Sequence, residues 1–216
     1  MDKYLSVITN FGCHYTCPYC IVKNNNLHIP ATTIQGLQNL NKYVSDNDCN
    51  WVSISGGGDP LFHIDEHRDW YRAFFKNVPK GTKLEMHTSI VDNKNMCKWY
   101  SEMFDRVVYH LNSFTQLYNI ERRNNEVVRV VFVVTENFTN DLIDKIAKFI
   151  KESDQIDELS FRQMVDAKYC DTYYCQEHLR NKHKKDWWYI EQCDYNLYYA
   201  ENQLYTEYRK IGEKND

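Results

Sequence analysis

The sequence predicts an α/β fold, an open partial barrel of six βα units with a C-terminal extension, and three observations carry that reading. Short apolar, β-branched runs alternate with amphipathic stretches along most of the chain, which is the rhythm of βα units. One of these runs, Val127-Val-Arg-Val-Val-Phe-Val-Val134, is almost continuously apolar, as suits a parallel strand buried on both faces. The chain has 216 residues, 43% of them hydrophobic, enough for one good core. A closed barrel of eight units typically needs about 250 residues, so six units with right-handed crossovers leave it open.

In order, Tyr4 to Thr9 reads as a first strand, followed by a cysteine-rich loop. A helix is expected next, with Thr32 or Thr33 as its N-cap and Ile34, Leu37, Leu40 and Val44 on one face. Trp51 to Ser55 is a second strand running into Gly56-Gly57-Gly58-Asp59-Pro60, and a helix over roughly 66 to 77 offers Trp70, Phe74 and Phe75 for packing. Lys83 to Thr88 is a third strand. A helix near 93 to 104 leads to a fourth strand, Arg106 to Asn112, and Val127 to Val134 is the fifth. Asp141 to Glu152 is an amphipathic helix, and Glu158 to Gln163 is the sixth strand. The core barrel is thus placed at 1–163 and the extension at 164–216. In such folds chemistry sits at the strands' C-terminal ends, so the two unusual loops after the first and second strands should meet.

The balance of charges, 26 Lys plus Arg against 30 Asp plus Glu for a formal net charge of −4, provides no basic field for gripping a duplex. The N-terminal residues lack an apolar export segment, and no stretch approaches the roughly 20 apolar residues that span a bilayer. A cytoplasmic protein is expected, with no membrane partner. Eight cysteines without an export signal point to metal ligands or buried thiols rather than disulfides.

Cys13-His-Tyr-Thr-Cys17-Pro-Tyr-Cys20 places three thiols within eight residues, a wrap tight enough for three corners of an iron–sulfur cubane. An electron-transfer cluster normally takes four cysteines, so a triplet leaves one iron open for a non-protein ligand. The alternative is a zinc knuckle completed by His14, His28 or a remote cysteine, although structural zinc usually uses two separated pairs. The spacing C-x3-C-x2-C, with aromatic Tyr19 just before the third cysteine, resembles the signature of the radical S-adenosylmethionine (SAM) superfamily. That resemblance implies a [4Fe–4S] cluster on Cys13, Cys17 and Cys20 whose open iron chelates the amino and carboxylate groups of SAM. It further implies one-electron cleavage of SAM to a 5′-deoxyadenosyl radical that abstracts a hydrogen atom from substrate.

Gly56-Gly57-Gly58-Asp59-Pro60, directly after a strand, lets backbone approach a ligand closely, although a tight turn before a helix would use the same glycines. It resembles the family's GGE motif, whose carbonyls bind the SAM amino group. Gly58-Asp59 stands where the family has Glu-Pro, so the backbone role carries over better than a carboxylate role. By location, Thr88-Ser89, His110-Leu-Asn112, and Thr135 with Asn137 resemble further SAM contacts at the ends of the third, fourth and fifth strands. This makes Tyr19, Gly56, Gly57, Gly58, Asp59, Ser89, His110, Asn112 and Thr135 the candidate cofactor-binding residues. Polar strand-end residues that satisfy loop backbone would look the same. Arg129 and Arg162 sit within strands, and a structural ion pair is the stronger expectation for Arg129.

The extension carries Cys170, Cys175 and Cys193, the basic run Arg180 to Lys185, and a dense aromatic set. Segments 186–192, 195–200 and 204–208 are expected to pair as antiparallel strands, a hairpin over the barrel opening whose aromatics add core area or stack on substrate. C-x4-C-x17-C matches neither the SPASM arrangement nor a familiar spacing, so a second cluster ranks below reduced bystander thiols or a small zinc site. The substrate expected is a small or nucleotide-like molecule, with glycyl-radical activation of a protein partner and peptide modification as alternatives. A metal-binding module without catalysis is the non-enzyme alternative. The resemblance also implies an electron donor such as flavodoxin or ferredoxin.

Overall fold

The computed structural model describes residues 2–30, 32–91, 103–123, 126–166, 168–191 and 196–211. It shows a mostly parallel, open α/β fold with nine strands among those residues, the partial barrel expected. Most of the helix expected near 93 to 104 lies outside them. Two compact units divide the chain: Met1–Thr16, Asn26–Thr88 and Asp194–Asp216 in the first, Cys17–Asn25 and Ser89–Cys193 in the second.

In the first unit, β1 (Tyr4–Thr9), β2 (Trp51–Gly56) and β3 (Lys83–Thr88) run parallel. Beyond β1 lie β8 (Leu197–Ala200), parallel to it, and β9 (Gln203–Tyr205), antiparallel to β8. Strand periodicity puts Leu5, Val7, Val52, Ile54, Leu84 and Met86 on one face, all buried. Leu37, Trp70 and Phe74 from the intervening helices are buried with them. The opposite face mixes Ile8 and Trp51 with paired polar groups: the Ser6 and Ser53 hydroxyls bond at 2.7 Å, and buried Glu85 bonds His87 at 2.7 Å.

The helix expected after Thr32 or Thr33 is split, a 3₁₀ turn over Gln35–Asn39 passing into an α-helix over Leu40–Asp46. Thr33 Oγ1 accepts from Gly36 N at 3.0 Å, the capping contact, whereas the Thr32 hydroxyl donates to Ile8 O at 2.5 Å. The 3₁₀ turn advances 120° rather than 100° per residue. Ile34 stands at the N-cap, outside that turn, and is 51% exposed, while Leu37, Leu40 and Val44 stay buried. The second helix begins at Arg68, after a 3₁₀ turn, and ends at Asn77.

In the second unit, β4 (Arg106–Leu111), β5 (Val127–Val134), β6 (Glu158–Gln163) and β7 (Trp188–Ile190) are parallel neighbours in that order. Val107, Tyr109, Leu111, Val130, Phe132 and Phe161 form one core with Ile143 and Ile146 of the helix Asn140–Glu152. Arg129 pairs with Glu158 at 2.6 Å and Arg106 with the same carboxylate at 3.3 Å, the structural role expected of Arg129. Arg162 is exposed on β6.

The extension departs from the expected set of antiparallel strands. β8 and β9 do form a hairpin, turning at Glu201 and Asn202, whose φ values of 44° and 68° suit a two-residue type I′ turn. β7 instead joins β6 in parallel, with Ser160 opposite Trp188. The intervening segment, which includes the short helix Gln176–Asn181, supplies the dozen or more residues such a crossover needs. Aromatic β-propensity identified the strand and could not identify its partner.

The hydroxyl of Thr139 accepts from Leu142 N at 3.2 Å and caps the helix Asn140–Glu152. Thr139→Ala is expected to cost about 1 kcal/mol in urea unfolding, with an unchanged slope.

Candidate cofactor site

β1 and β2 pair in parallel with Thr9 opposite Gly56, so the loops that follow them start side by side. Gly57 N–H donates to Thr9 O at 2.7 Å and Asp59 N–H to Gly12 O at 2.8 Å. A Cβ on Gly56 would overlap Thr9 O, and one on Gly58 would overlap Gly12 O. On Gly57 it would stand 2.8 Å from the Ile29 Cβ. These obstacles are backbone or a β-branched stem, so the three glycines are there to let two backbones touch. The expected meeting of the two loops is thus found within the first unit.

Phe11 anchors the far side of the first loop, stacked on His67 at 3.8 Å and edge-on to Trp70 at 5.2 Å. Burial pushes the His67 imidazole below its ordinary pKa. Gly12, at φ +97°, turns the chain into Cys13. Asp59 is 3% exposed, and its Oδ1 accepts from Leu61 N at 2.9 Å and from the Thr88 hydroxyl at 2.8 Å. The carboxylate therefore knits the glycine loop to the end of β3, and Thr88 takes a structural part there. The Tyr71 hydroxyl donates to Pro60 O at 2.7 Å and fixes the loop's exit.

In the second unit, a turn closed by Cys20 N–H to Cys17 O at 3.1 Å leads into a one-turn helix, Ile21–Asn24. Asn112, just past β4, accepts from the Tyr19 hydroxyl and from the Cys17 thiol, the latter at 3.7 Å. Three candidate residues, Cys17, Tyr19 and Asn112, are therefore in contact. Asn112 is itself held, because Gln116 Oε1 accepts from the backbone N–H of Asn112 at 2.6 Å and of Ser113 at 3.0 Å. His110 is half-buried within β4, Ser89 half-buried just after β3, and Thr135 half-buried just after β5.

Cys13 is exposed and accepts Tyr15 N–H on its sulfur at 3.5 Å, while Cys17 and Cys20 are half-buried. All three are free thiols. As placed, no group of three His, Cys, Asp or Glu side chains among the described residues could hold a metal ion. The donor chemistry nevertheless fits an iron–sulfur cluster: three thiols on one accessible loop, one already receiving a backbone N–H of the kind that tunes cluster potentials. The bare glycine backbone beside that loop fits the amino group of an amino-acid cofactor. Of the extension's cysteines, Cys170 is exposed, and Cys175 donates to Phe138 O at 3.4 Å, its thiol pushed up by burial. Cys193 lies outside the described residues.

Two residues of this region escape a reading by resemblance. Gln116 was signalled by Ser113-x-x-Gln116, a capping-box pattern, and the reciprocal box is present. Tyr208, whose hydroxyl donates to Gly56 O at 3.2 Å, lies 152 residues away in sequence and has no local signature.

No family model and no curated protein matches the sequence. Among the described residues no helix is long and apolar enough to cross a membrane. Solved structures that resemble the chain include Streptococcus suis SuiB bound to precursor peptide SuiA and SuiB bound to S-adenosylmethionine. Each has a TM-score of 0.63 and 13% identity, covering 100% of this chain and 61% and 60% of those chains respectively. The chain thus spans about three fifths of the length of these neighbours. At that identity the likeness is one of fold: the chain has the mostly parallel, open α/β architecture of a partial barrel.

Proposed function

We propose that the protein is a radical SAM enzyme, with Cys13, Cys17 and Cys20 holding a [4Fe–4S] cluster and the Gly56–Gly58 backbone receiving SAM. The observation that carries this reading is the contact between the two loops, Asp59 N–H to Gly12 O at 2.8 Å, one residue before the first cysteine. The SAM-bound neighbour of the same fold supports it. Once loaded, the cluster would supply one electron to break a sulfonium bond and so generate a carbon radical able to take a hydrogen atom.

The chain's own residues then have separable tasks. The cysteines would ligate iron as thiolates, Cys17 giving up the proton it shares with Asn112, while Asn112, braced by Gln116, keeps hold of Tyr19. Asp59 keeps the glycine loop in shape through Leu61 and Thr88, leaving the loop's backbone for cofactor. Ser89, His110 and Thr135 stand at strand ends where further cofactor contacts are proposed. Electrons would come from a small electron-donor protein such as flavodoxin or ferredoxin.

The aromatic-rich extension favours a small or nucleotide-like substrate, since Tyr and Trp rings stack on planar groups. The neighbour bound to a precursor peptide favours a second reading, modification of a peptide.

Iron and sulfide analysis of anaerobically reconstituted protein, with equilibrium dialysis against SAM, tests the assignment. About four irons per chain and measurable SAM binding are expected. Zinc or no metal, with no SAM affinity, would leave only a metal-binding module.

A further inference from the structure

We propose that Tyr208, in the C-terminal segment, is a positioning residue of the SAM site, holding the Gly56 carbonyl in the orientation that receives the cofactor's ammonium group. The inference rests on the preceding reading of the glycine loop and adds a residue to it. Its basis is the hydrogen bond from the Tyr208 hydroxyl to Gly56 O at 3.2 Å, within the first unit.

Gly56 ends β2, and its neighbour Gly57 is tied to β1 through Thr9 O. That tie sets the plane of the trans Gly56–Gly57 peptide, and Tyr208 holds its carbonyl end from the opposite side. A carbonyl oxygen has two lone pairs, so accepting from a phenol leaves one for an ammonium donor. Polarisation along such a chain of hydrogen bonds favours the second, charge-assisted bond.

A placeholder that swings out when cofactor arrives would also explain the contact, but the ring's surroundings argue against it. Tyr208 meets Tyr198 edge-on at 5.4 Å, and Tyr198 sits on β8 opposite Ser6 of β1. Tyr208 begins a 3₁₀ turn, Tyr208–Lys210, flanked by Glu207, which pairs with both Arg209 and Lys210, and by fully buried Ile211. Displacing the ring would break the aromatic contact with β8. The two supports of the Gly56–Gly57 peptide, Thr9 directly and Tyr208 through Tyr198, thus trace back to β1.

The test is the dissociation constant for SAM of anaerobically reconstituted full-length protein, measured with the thermal midpoint and the iron content. Tyr208→Phe keeps the ring and removes the hydroxyl. It is expected to weaken SAM binding roughly fivefold, the worth of one neutral hydrogen bond, with iron content and midpoint as in the parent protein. Tyr205→Phe is the control: the Tyr205 hydroxyl bonds Gln203 at 2.8 Å, not the glycine loop, so SAM affinity should not move. Unchanged or tighter SAM binding in Tyr208→Phe overturns the proposal, as does a loss shared by Tyr205→Phe or accompanied by loss of iron. If the parent protein itself fails to bind SAM, the reading of the site falls and this inference falls with it. If the parent binds and Tyr208→Phe binds equally well, only the inference falls.

Discussion

Cys17→Ala is expected to reduce iron from about four per chain to near zero and SAM cleavage to background, while the fold survives. A cubane on three cysteines has no spare ligand, and removing the central one leaves two thiols separated by the rest of the loop. Folding should be almost indifferent. Cys17 is half-buried, and the hydrogen bond from its thiol to Asn112, at 3.7 Å, is long. A change in stability within about 0.5 kcal/mol is therefore expected. Cys170→Ser is the matching control. That thiol is exposed and donates to Lys168 O at 3.7 Å, a bond within its own turn, so iron and cleavage should match the parent protein. Full iron and full cleavage in Cys17→Ala would defeat the ligand assignment. Halved iron in Cys170→Ser would bring back a second cluster in the extension.

Gly58→Ala is expected to combine instability with loss of SAM binding. The added methyl overlaps Gly12 O, a backbone atom, so either the 2.8 Å bond from Asp59 N to Gly12 O opens or the first loop moves with its cysteine. Overpacking of this kind costs about 1–3 kcal/mol, and the displaced carbonyls no longer face a cofactor. Gly81→Ala separates the two effects. Gly81 has φ +86°, and nothing stands within 4 Å of the place its methyl would take, so that substitution costs about 1 kcal/mol of backbone strain. Urea unfolding should detect it while SAM affinity stays put. Equal affinity in Gly58→Ala and the parent would show that the glycine loop takes no part in cofactor binding.

Much of the fold is legible in the sequence, for identifiable reasons. β3, β5 and β6 have the expected bounds because compact apolar runs such as Val127 to Val134 are bracketed by polar residues and are too short for helices. The meeting of the two loops is legible because adjacent parallel strands must bring their C-terminal ends together. The exposure of Ile34 is not, since its spacing from Leu37 is that of a same-face residue and its place at the N-cap, before the turn, has no signature in composition. Nor is the partner of β7, which depends on how the segment after β6 crosses rather than on Trp188, Tyr189 and Ile190 themselves. The role of Asp59 is only half legible. Its acid looks like a weak match to a cofactor motif, and its burial against Thr88 shows a carboxylate used to shape the loop. Tyr208 is invisible because its contact with Gly56 joins distant parts of the sequence.

The most direct measurement is the release of 5′-deoxyadenosine from SAM by anaerobically reconstituted protein reduced with dithionite and followed by liquid chromatography. A cluster on Cys13, Cys17 and Cys20 beside a SAM-binding glycine loop predicts 5′-deoxyadenosine in the complete mixture and none when reductant is withheld or Cys17 is alanine. Protein that carries about four irons and binds SAM yet releases no 5′-deoxyadenosine on reduction would contradict it.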